Sequence, residues 1–577
     1  MKIWGKYIKK HKKYFILGPI FIISEVIGEV LMPKYLAMII NNSASNSSSY
    51  SIKITALMVL TAVLMMAGGV GGAYFASKAS VYFASDLRAD IYTKVQKFSF
   101  TNLDKFTSGS LTTRLTNDIR QIQNFINSLL RICLRAPGMM IGSLIMAIIM
   151  QPSLSLVFAV SIPLVVVFVV FIIVKGLKSF TNLQTKIDNL NNNIQENVVN
   201  SRVVKSFVRE DFEIKKFLTT NNQLKDAGLE AMGYMILLSP VMTLILNLTI
   251  VAVIWFGSGL IISENTMSIG NLSAFIMYCN QILMSLMMIT MIIVMSSRSI
   301  ASSKRIKEVL NEKIDISDND GKFNEMKVEN GQVEFKNVSF SYNKDNGEKV
   351  LTNINIKINA KSSVGIIGST GSGKTTLVSL ISRLYDVDAG EVLIDGVNVK
   401  DYSLKNLRDG VGTVLQKNLL FSGSIEDNLK WGSKDASQED IDWATKIAQA
   451  DKFIKTFKDG YQTIIDQGGT NVSGGQKQRL CIARTLLKKP KILIFDDSTS
   501  AVDTATERNI KEMLKKDLKD VTKIIIAQRI NSVKDLDQIF VMNEGNIIAF
   551  GNHQYLLDTC LAYQEIYYSQ MQVEEVK

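Results

Sequence analysis

The stretch Val364-Gly-Ile-Ile-Gly368-Ser369-Thr370-Gly371-Ser372-Gly373-Lys374-Thr375-Thr376 decides the fold of the C-terminal half of this chain. The short apolar run Val364 to Ile367 reads as a strand, and 374–384 carries a helical pattern. Between them stands the pattern Gly, four residues, Gly-Lys, then Ser or Thr. Its glycines let backbone N–H groups converge on phosphate oxygens, and the N-terminus of the following helix adds a favourable dipole. The strand–loop–helix setting is the context this phosphate-binding pattern requires. Lys374 is then expected on the β and γ phosphates, with Thr375 on Mg²⁺.

The neighbouring sequence extends this reading. Ile492 to Phe495 is an apolar strand ending in Asp496, the expected second Mg²⁺ contact. Together these residues imply ATP or GTP, with magnesium. Further short apolar runs lie at Val333 to Phe335, Ile354 to Ile358, Val392 to Ile394 and Ile524 to Ala527. They alternate with helical segments at 475–488 and 503–517, which predicts an α/β P-loop ATPase domain over 331–577. A polar linker rich in Asp, Asn and Gly is expected at 316–330.

Upstream, at 1–315, the composition is different. Six apolar stretches run over about 14–37, 55–75, 136–151, 154–174, 234–262 and 273–295. A helix needs about 20 apolar residues to cross a bilayer. The third stretch reaches that length only with Leu129 to Pro137, which carries Arg131 and Arg135. An all-α domain of six transmembrane helices is therefore predicted. The segments 76–128 and 175–233 are long, charged and helix-like, and read as membrane helices continuing into the cytoplasm. Lys9, Lys10, Lys12 and Lys13 precede the first span, which favours a cytoplasmic N-terminus and a multi-pass protein of the cell membrane. No cleaved signal peptide is expected.

Within the first span, Glu25 and Glu29 share one helical face. A carboxylate in hydrocarbon is costly, so this face should point into the bundle, either at a polar or cationic substrate or at polar groups of neighbouring helices. Met277, Met284, Met287, Met288, Met291 and Met295 cluster in the last span, where Met284 and Met288 are candidates for an adaptable substrate pocket. Ordinary helix packing explains them as well.

Composition excludes other classes. The chain has 577 residues, 47% hydrophobic and 20% charged, with 7 Pro, 4 Cys and 2 His. Disorder and a collagen-like fibre are excluded by so few charges and prolines. Four Cys cannot build a disulfide scaffold, and they fit no paired-Cys metal pattern. With only His11 and His553, chemistry run on imidazole is not expected. The net charge of +12 does not define a substrate, because basic loops are expected beside anionic lipid. No basic-aromatic nucleic-acid surface is evident, and no nucleic-acid partner is expected.

Val472-Ser473-Gly474-Gly475-Gln476 lies about a hundred residues after the phosphate loop and just before Asp496. Here the chain resembles the ATP-binding cassette transporter family, in its exporter type, over nearly its whole length. The resemblance implies that Ser473, Gly474, Gly475 and Gln476 bind the ATP held by an opposing nucleotide-binding domain. It implies that Tyr342 stacks on adenine and that Gln416 links Mg²⁺ and the lytic water to the membrane domain. Ser500 to Asp503 would cross the dimer interface. Phe106 to Asp118, with Gly109, Leu111, Arg114 and Leu115, and Val203 to Glu210 match cytoplasmic loop patterns of the family. The turns of the two extensions, and hence the contacts toward the ATPase domain, are expected near Phe106 to Ser110 and Leu190 to Glu196.

Two positions depart from the family pattern. The general-base glutamate is replaced by Asp497, and the histidine facing the γ phosphate by Gln528. His553 matches a different family position. In the family, this combination resembles the degenerate ATP site of heterodimeric multidrug exporters. The implied partner is a second half-transporter, and the implied substrate a small amphipathic compound. A homodimeric lipid or peptide exporter, an ATP-gated channel and a sensor subunit are the alternatives.

Overall fold

The computed structural model describes residues 2–43, 48–262, 266–317, 325–343, 347–497 and 502–575. The chain divides into two compact units: Met1–Val95 with Gly109–Asn311, and Gln96–Ser108 with Glu312–Lys577.

The first unit is helical. Six helices are long and apolar enough to cross a membrane: Lys12–Asn42, Ser49–Gln96, Ser108–Met150, Pro152–Val199, Glu210–Ile262 and Ile269–Thr290. Four of the predicted spans fall inside them, while 136–151 and 273–295 overlap Ser108–Met150 and Ile269–Thr290 but end one and five residues beyond. The three longest helices run far past bilayer thickness, at 49 residues for Ser48–Gln96, 48 for Pro152–Val199 and 53 for Glu210–Ile262. The first two spans pack closely because Gly68, Gly71 and Gly72 leave no side chain between them. A methyl group added at Gly68 would lie 2.9 Å from the Phe21 carbonyl oxygen. Small residues of this kind let membrane helices approach at backbone distance.

The second cytoplasmic turn is further along than the sequence suggested. Leu190 to Glu196 lies inside the helix Pro152–Val199, and the chain reverses around the short helix Ser201–Ser206. The run Asn191-Asn-Asn193 has the composition of a turn, but Asn193 and the nearby Glu196 and Asn197 bond to the antiparallel helix Glu210–Ile262. Asn193 Nδ2 donates to Thr220 Oγ1 at 3.4 Å and Asn197 Nδ2 to Glu213 Oε2 at 3.0 Å, while Lys216 pairs with Glu196 at 3.0 Å. Satisfied in this way, the asparagines leave the helical backbone uninterrupted. In the first extension the helix Phe100–Lys105 starts a few residues before the expected turn. It is set by Ser99 and Asn102 in a capping box.

The last membrane helix also runs on without a break, through to Asn311. The polar segment 301–311 forms its last turns. The core of the linker, 318–324, lies outside the described residues.

The second unit is built on two sheets. A six-stranded sheet has the order Asn546–Gly551, Gln538–Asn543, Ser363–Gly368, Thr522–Ile526, Ile492–Asp496, Val411–Val414. All its neighbours are parallel except the first pair. The central strands are buried by helices such as Gly474–Leu486 on one face, and by the helix Lys374–Ile381 with a second sheet on the other, and their sequences are accordingly continuous apolar runs. This second sheet, Leu351–Ile358, Val333–Phe340, Ala389–Ile394 and Val397–Asn398, is antiparallel. Parallel strands that end together bring the loops after Ser363–Gly368, Ile492–Asp496 and Thr522–Ile526 to one edge, the usual ligand position in such sheets.

Candidate functional site: a nucleotide cleft

Gly368 ends its strand where a Cβ would lie 2.1 Å from the Met542 carbonyl oxygen, so only glycine fits. Gly371 and Gly373 have φ of 87° and 94°, in the left-handed region that turns their N–H groups inward. Gly373 is the N-cap of the helix Lys374–Ile381. Lys374 is buried, and its Nζ donates to the carbonyls of Gly368 at 2.9 Å and Ser369 at 2.7 Å. Burial pulls the Lys374 ammonium below the usual lysine range, against the attraction of Asp497 and Asp496. A phosphate at the loop would add to that attraction and offset the cost of burial.

Thr375 Oγ1 donates to Asp496 Oδ1 at 2.8 Å. Burial pushes the Asp496 carboxyl up despite this bond. A hydroxyl facing a buried carboxylate is a donor set suited to Mg²⁺, with oxygen ligands of the kind this ion prefers. Thr375 and Asp496 would hold it, and Mg²⁺ would neutralise phosphate charge there.

Asp497 is the next residue and has φ of 46°, a conformation that Asp tolerates better than most residues. Burial raises its carboxyl, opposed by Lys374 and by hydrogen bonds from Gln528 and Gln416. Gln528 Nε2 donates to Asp497 Oδ2 at 2.9 Å. At the other end, Tyr342 keeps 46% of its surface exposed while its hydroxyl lies 2.9 Å from Thr376 Oγ1. Its ring stands edge-on to Phe340 and Tyr385, leaving a face open for stacking. Tyr385 in turn donates to Asp104 at 2.7 Å. These groups enclose a cleft of about 370 Å³ lined by Tyr342, Thr370, Gly371, Lys374, Thr375, Gln416, Asp496, Asp497 and Gln528.

The family profile for the ABC transporter transmembrane region matches residues 15–286, and that for the ABC transporter matches 351–500. The chain is 35% identical over 566 residues to YfiB of Bacillus subtilis, an uncharacterized ABC transporter ATP-binding protein, covering 98% of this chain and 97% of that one.

The chain belongs to the ABC transporter family.

Other relatives of this ABC transporter include Rv1273c of Mycobacterium tuberculosis, at 35% identity over 98% of this chain and 97% of that one. YfiC of Bacillus subtilis is 30% identical over 99% of this chain and 94% of its own length. A solved structure of a bacterial Atm1-family ABC exporter with ATP bound shares the fold, at 24% identity and a TM-score of 0.78, covering 98% of both chains. The protein is thus a multi-pass membrane protein with a cytoplasmic nucleotide-binding domain, and an ATPase-coupled transporter.

The signature of the ABC transporter does not join this cleft. Ser473 is the N-cap of the helix Gly474–Leu486, where its Oγ accepts from Gln476 N–H while Gln476 Oε1 accepts from Ser473 N–H at 2.9 Å. Asp503 caps Thr504–Asp517, accepting from Thr506 N–H at 2.9 Å, and that backbone bond holds its carboxyl below the usual range. Ser500 and Ala501 lie outside the described residues.

In the membrane half, Glu25 and Glu29 have a partner that the sequence alone did not link to them. Arg135 Nη1 lies 3.0 Å from Glu25 Oε1 and Nη2 lies 3.0 Å from Glu29 Oε2. Gln281 Nε2 donates to the Glu29 carbonyl at 3.0 Å and Ser143 Oγ to Gln281 Oε1 at 2.7 Å, tying in the third and sixth spans. Met284 and Met288 are half exposed, and the side chains of Met291 and Met295 lie outside the described residues.

Proposed function

We propose that this chain is one subunit of a two-chain exporter of drugs or other amphipathic compounds, and that its own ATP site binds nucleotide but hydrolyses it slowly. The observation that carries this reading is the Asp497–Gln528 pair. Asp is one methylene shorter than Glu, so the carboxylate retreats on the order of 1 Å, and a misplacement of that size costs roughly 10²-fold in rate. A general base contributes about 10²–10⁴-fold. Gln528 can donate a hydrogen bond to phosphate but cannot become a cation. Both changes spare binding and weaken hydrolysis.

The partner would supply the Glu and His of a consensus site, completed by Ser473 to Gln476 of this chain. The signature's position outside the cleft supports a composite site of this kind.

A cytoplasmic N-terminus is supported by the ties of the first helix. Lys6 pairs with Asp90 at 2.7 Å and Lys10 with Asp86 at 2.9 Å, at the end of the second span that runs on toward Phe100–Lys105. Glu25 and Glu29 share the single Arg135 guanidinium, which favours a polar or cationic amphipath, with Met284 and Met288 as candidate apolar contacts.

A second reading is a homodimeric exporter of lipid or peptide. It is favoured by the presence of Lys374, Thr375, Asp496 and an intact signature on one chain, since two copies could complete two equal sites. ATPase assays of this chain alone and with its partner separate the two. High turnover alone, abolished by Asp497→Ala, would overturn the slow-site reading. ATP-dependent flux in vesicles separates an exporter from a channel, because passive flux uncoupled from turnover belongs to the latter.

A further inference from the structure

The loop after strand Thr522–Ile526 carries Gln528, and beyond Ala527 it leaves the sheet. The C-terminal helix Leu561–Glu575 meets its exposed backbone groups. Ile530 N–H donates to Gln570 Oε1 at 2.9 Å, and Gln570 Nε2 donates to the Gln528 carbonyl at 2.8 Å. One side-chain amide thereby closes on a backbone donor and a backbone acceptor two residues apart, as a neighbouring strand would.

The helix that brings Gln570 there is itself fixed. Tyr563 is fully buried, with its hydroxyl 2.7 Å from His553 Nδ1. Ile566 and Tyr567 pack on the core cluster that includes Ile530 and Val533. The far side of the same loop is held separately, because Ser532 donates to the buried Glu507 at 2.8 Å, in the helix that begins after Asp503.

We propose that Gln570 is a positioning residue for the nucleotide site, holding the 528–530 backbone so that the Gln528 side chain stays aimed at Asp497 and at the terminal phosphate of ATP. This rests on the reading of Gln528 as the residue that faces the γ phosphate. The chemistry requires an amide at 570. Glutamate would keep the acceptor but set a carboxylate against the Gln528 carbonyl, and asparagine is too short to span both partners.

The test is photoaffinity labelling of the full-length chain in lipid nanodiscs with azido-ATP, read on its 64.2 kDa band, with ATP and ADP as competitors. Gln570→Ala and Gln528→Ala should each lower the preference for ATP over ADP by about five- to tenfold, the effect of losing one or two hydrogen bonds. ADP competition should not change. Gln570→Glu should lie between Gln570→Ala and the wild type. If Gln528→Ala lowers the preference and Gln570→Ala does not, the positioning role is wrong. Weaker ADP competition in Gln570→Ala would also overturn it, by showing a merely structural residue. No effect of Gln528→Ala would instead remove the γ-phosphate reading beneath the proposal.

Discussion

The Gln528 amide donates to the Asp497 carboxylate across 2.9 Å, so the two residues that depart from the family pattern hold each other. In the slow-site proposal, each stands where a catalytic glutamate or histidine would act. Neither is loose, and the contact consumes one carboxylate oxygen that a base would present to water.

Restoring both groups should therefore matter more than restoring one. Asp497→Glu together with Gln528→His is expected to raise single-site ATP turnover by about 10²-fold or more, and either change alone by much less. Turnover that is unchanged in the double variant, with ATP binding intact, would show that geometry here is not the cause of slow hydrolysis.

Magnesium dependence should run through Thr375 and Asp496. In the wild type, chelating Mg²⁺ is expected to weaken ATP binding by about tenfold, since the ion neutralises phosphate charge at the buried carboxylate. Asp496→Asn should flatten that response. The measurement is competition labelling with and without chelator, and an equal loss in both proteins would contradict the assignment.

Arg135 serves two carboxylates, so removing it should hurt more than removing either. Arg135→Ala is expected to cost on the order of 1–3 kcal/mol, below the cost for a fully buried pair because the arginine side chain stays 34% exposed. Glu29→Gln should be milder, and the triple variant with Glu25→Gln and Glu29→Gln should recover part of the loss. Thermal unfolding in detergent measures all three.

The two ends of the glycine-rich stretch should respond differently to alanine. At Gly68 a methyl meets the Phe21 backbone oxygen at 2.9 Å, so a helix must move, at about 1–3 kcal/mol. At Gly72 it meets the Ile22 side chain, Cδ1 at 2.4 Å and Cγ1 at 2.8 Å, while the nearest backbone atom is at an ordinary 3.4 Å, so a side-chain shift can absorb the clash. Gly68→Ala should therefore lower the melting temperature more than Gly72→Ala.

Much of the fold is legible in the sequence because its signals are local. Apolar length marks the six spans, and Gly373-Lys374-Thr375 after Val364 to Ile367 marks the nucleotide loop. The six expected strands all form. Val411–Val414 is harder to see, since Val-Gly-Thr-Val is short and becomes a strand only by pairing with Ile492–Asp496. Arg135 was visible as an oddity in the third span, yet its link to Glu25 and Glu29 depends on helix packing rather than spacing. Gln570 carries no motif at all. Its role arises from two backbone groups some forty residues earlier, a relation that only the folded chain creates.

The length of the second span has a mechanical side. At about 1.5 Å per residue, its 49 residues make a rod on the order of 70 Å. A tilt of about 5° at one end sweeps the other by roughly 6 Å, with every hydrogen bond of the helix kept. The protein thus has the gearing to turn small rearrangements into large displacements, provided the rod stays stiff. A proline placed midway along Ser48–Gln96 would act as a slack joint, absorbing motion that the intact helix passes on.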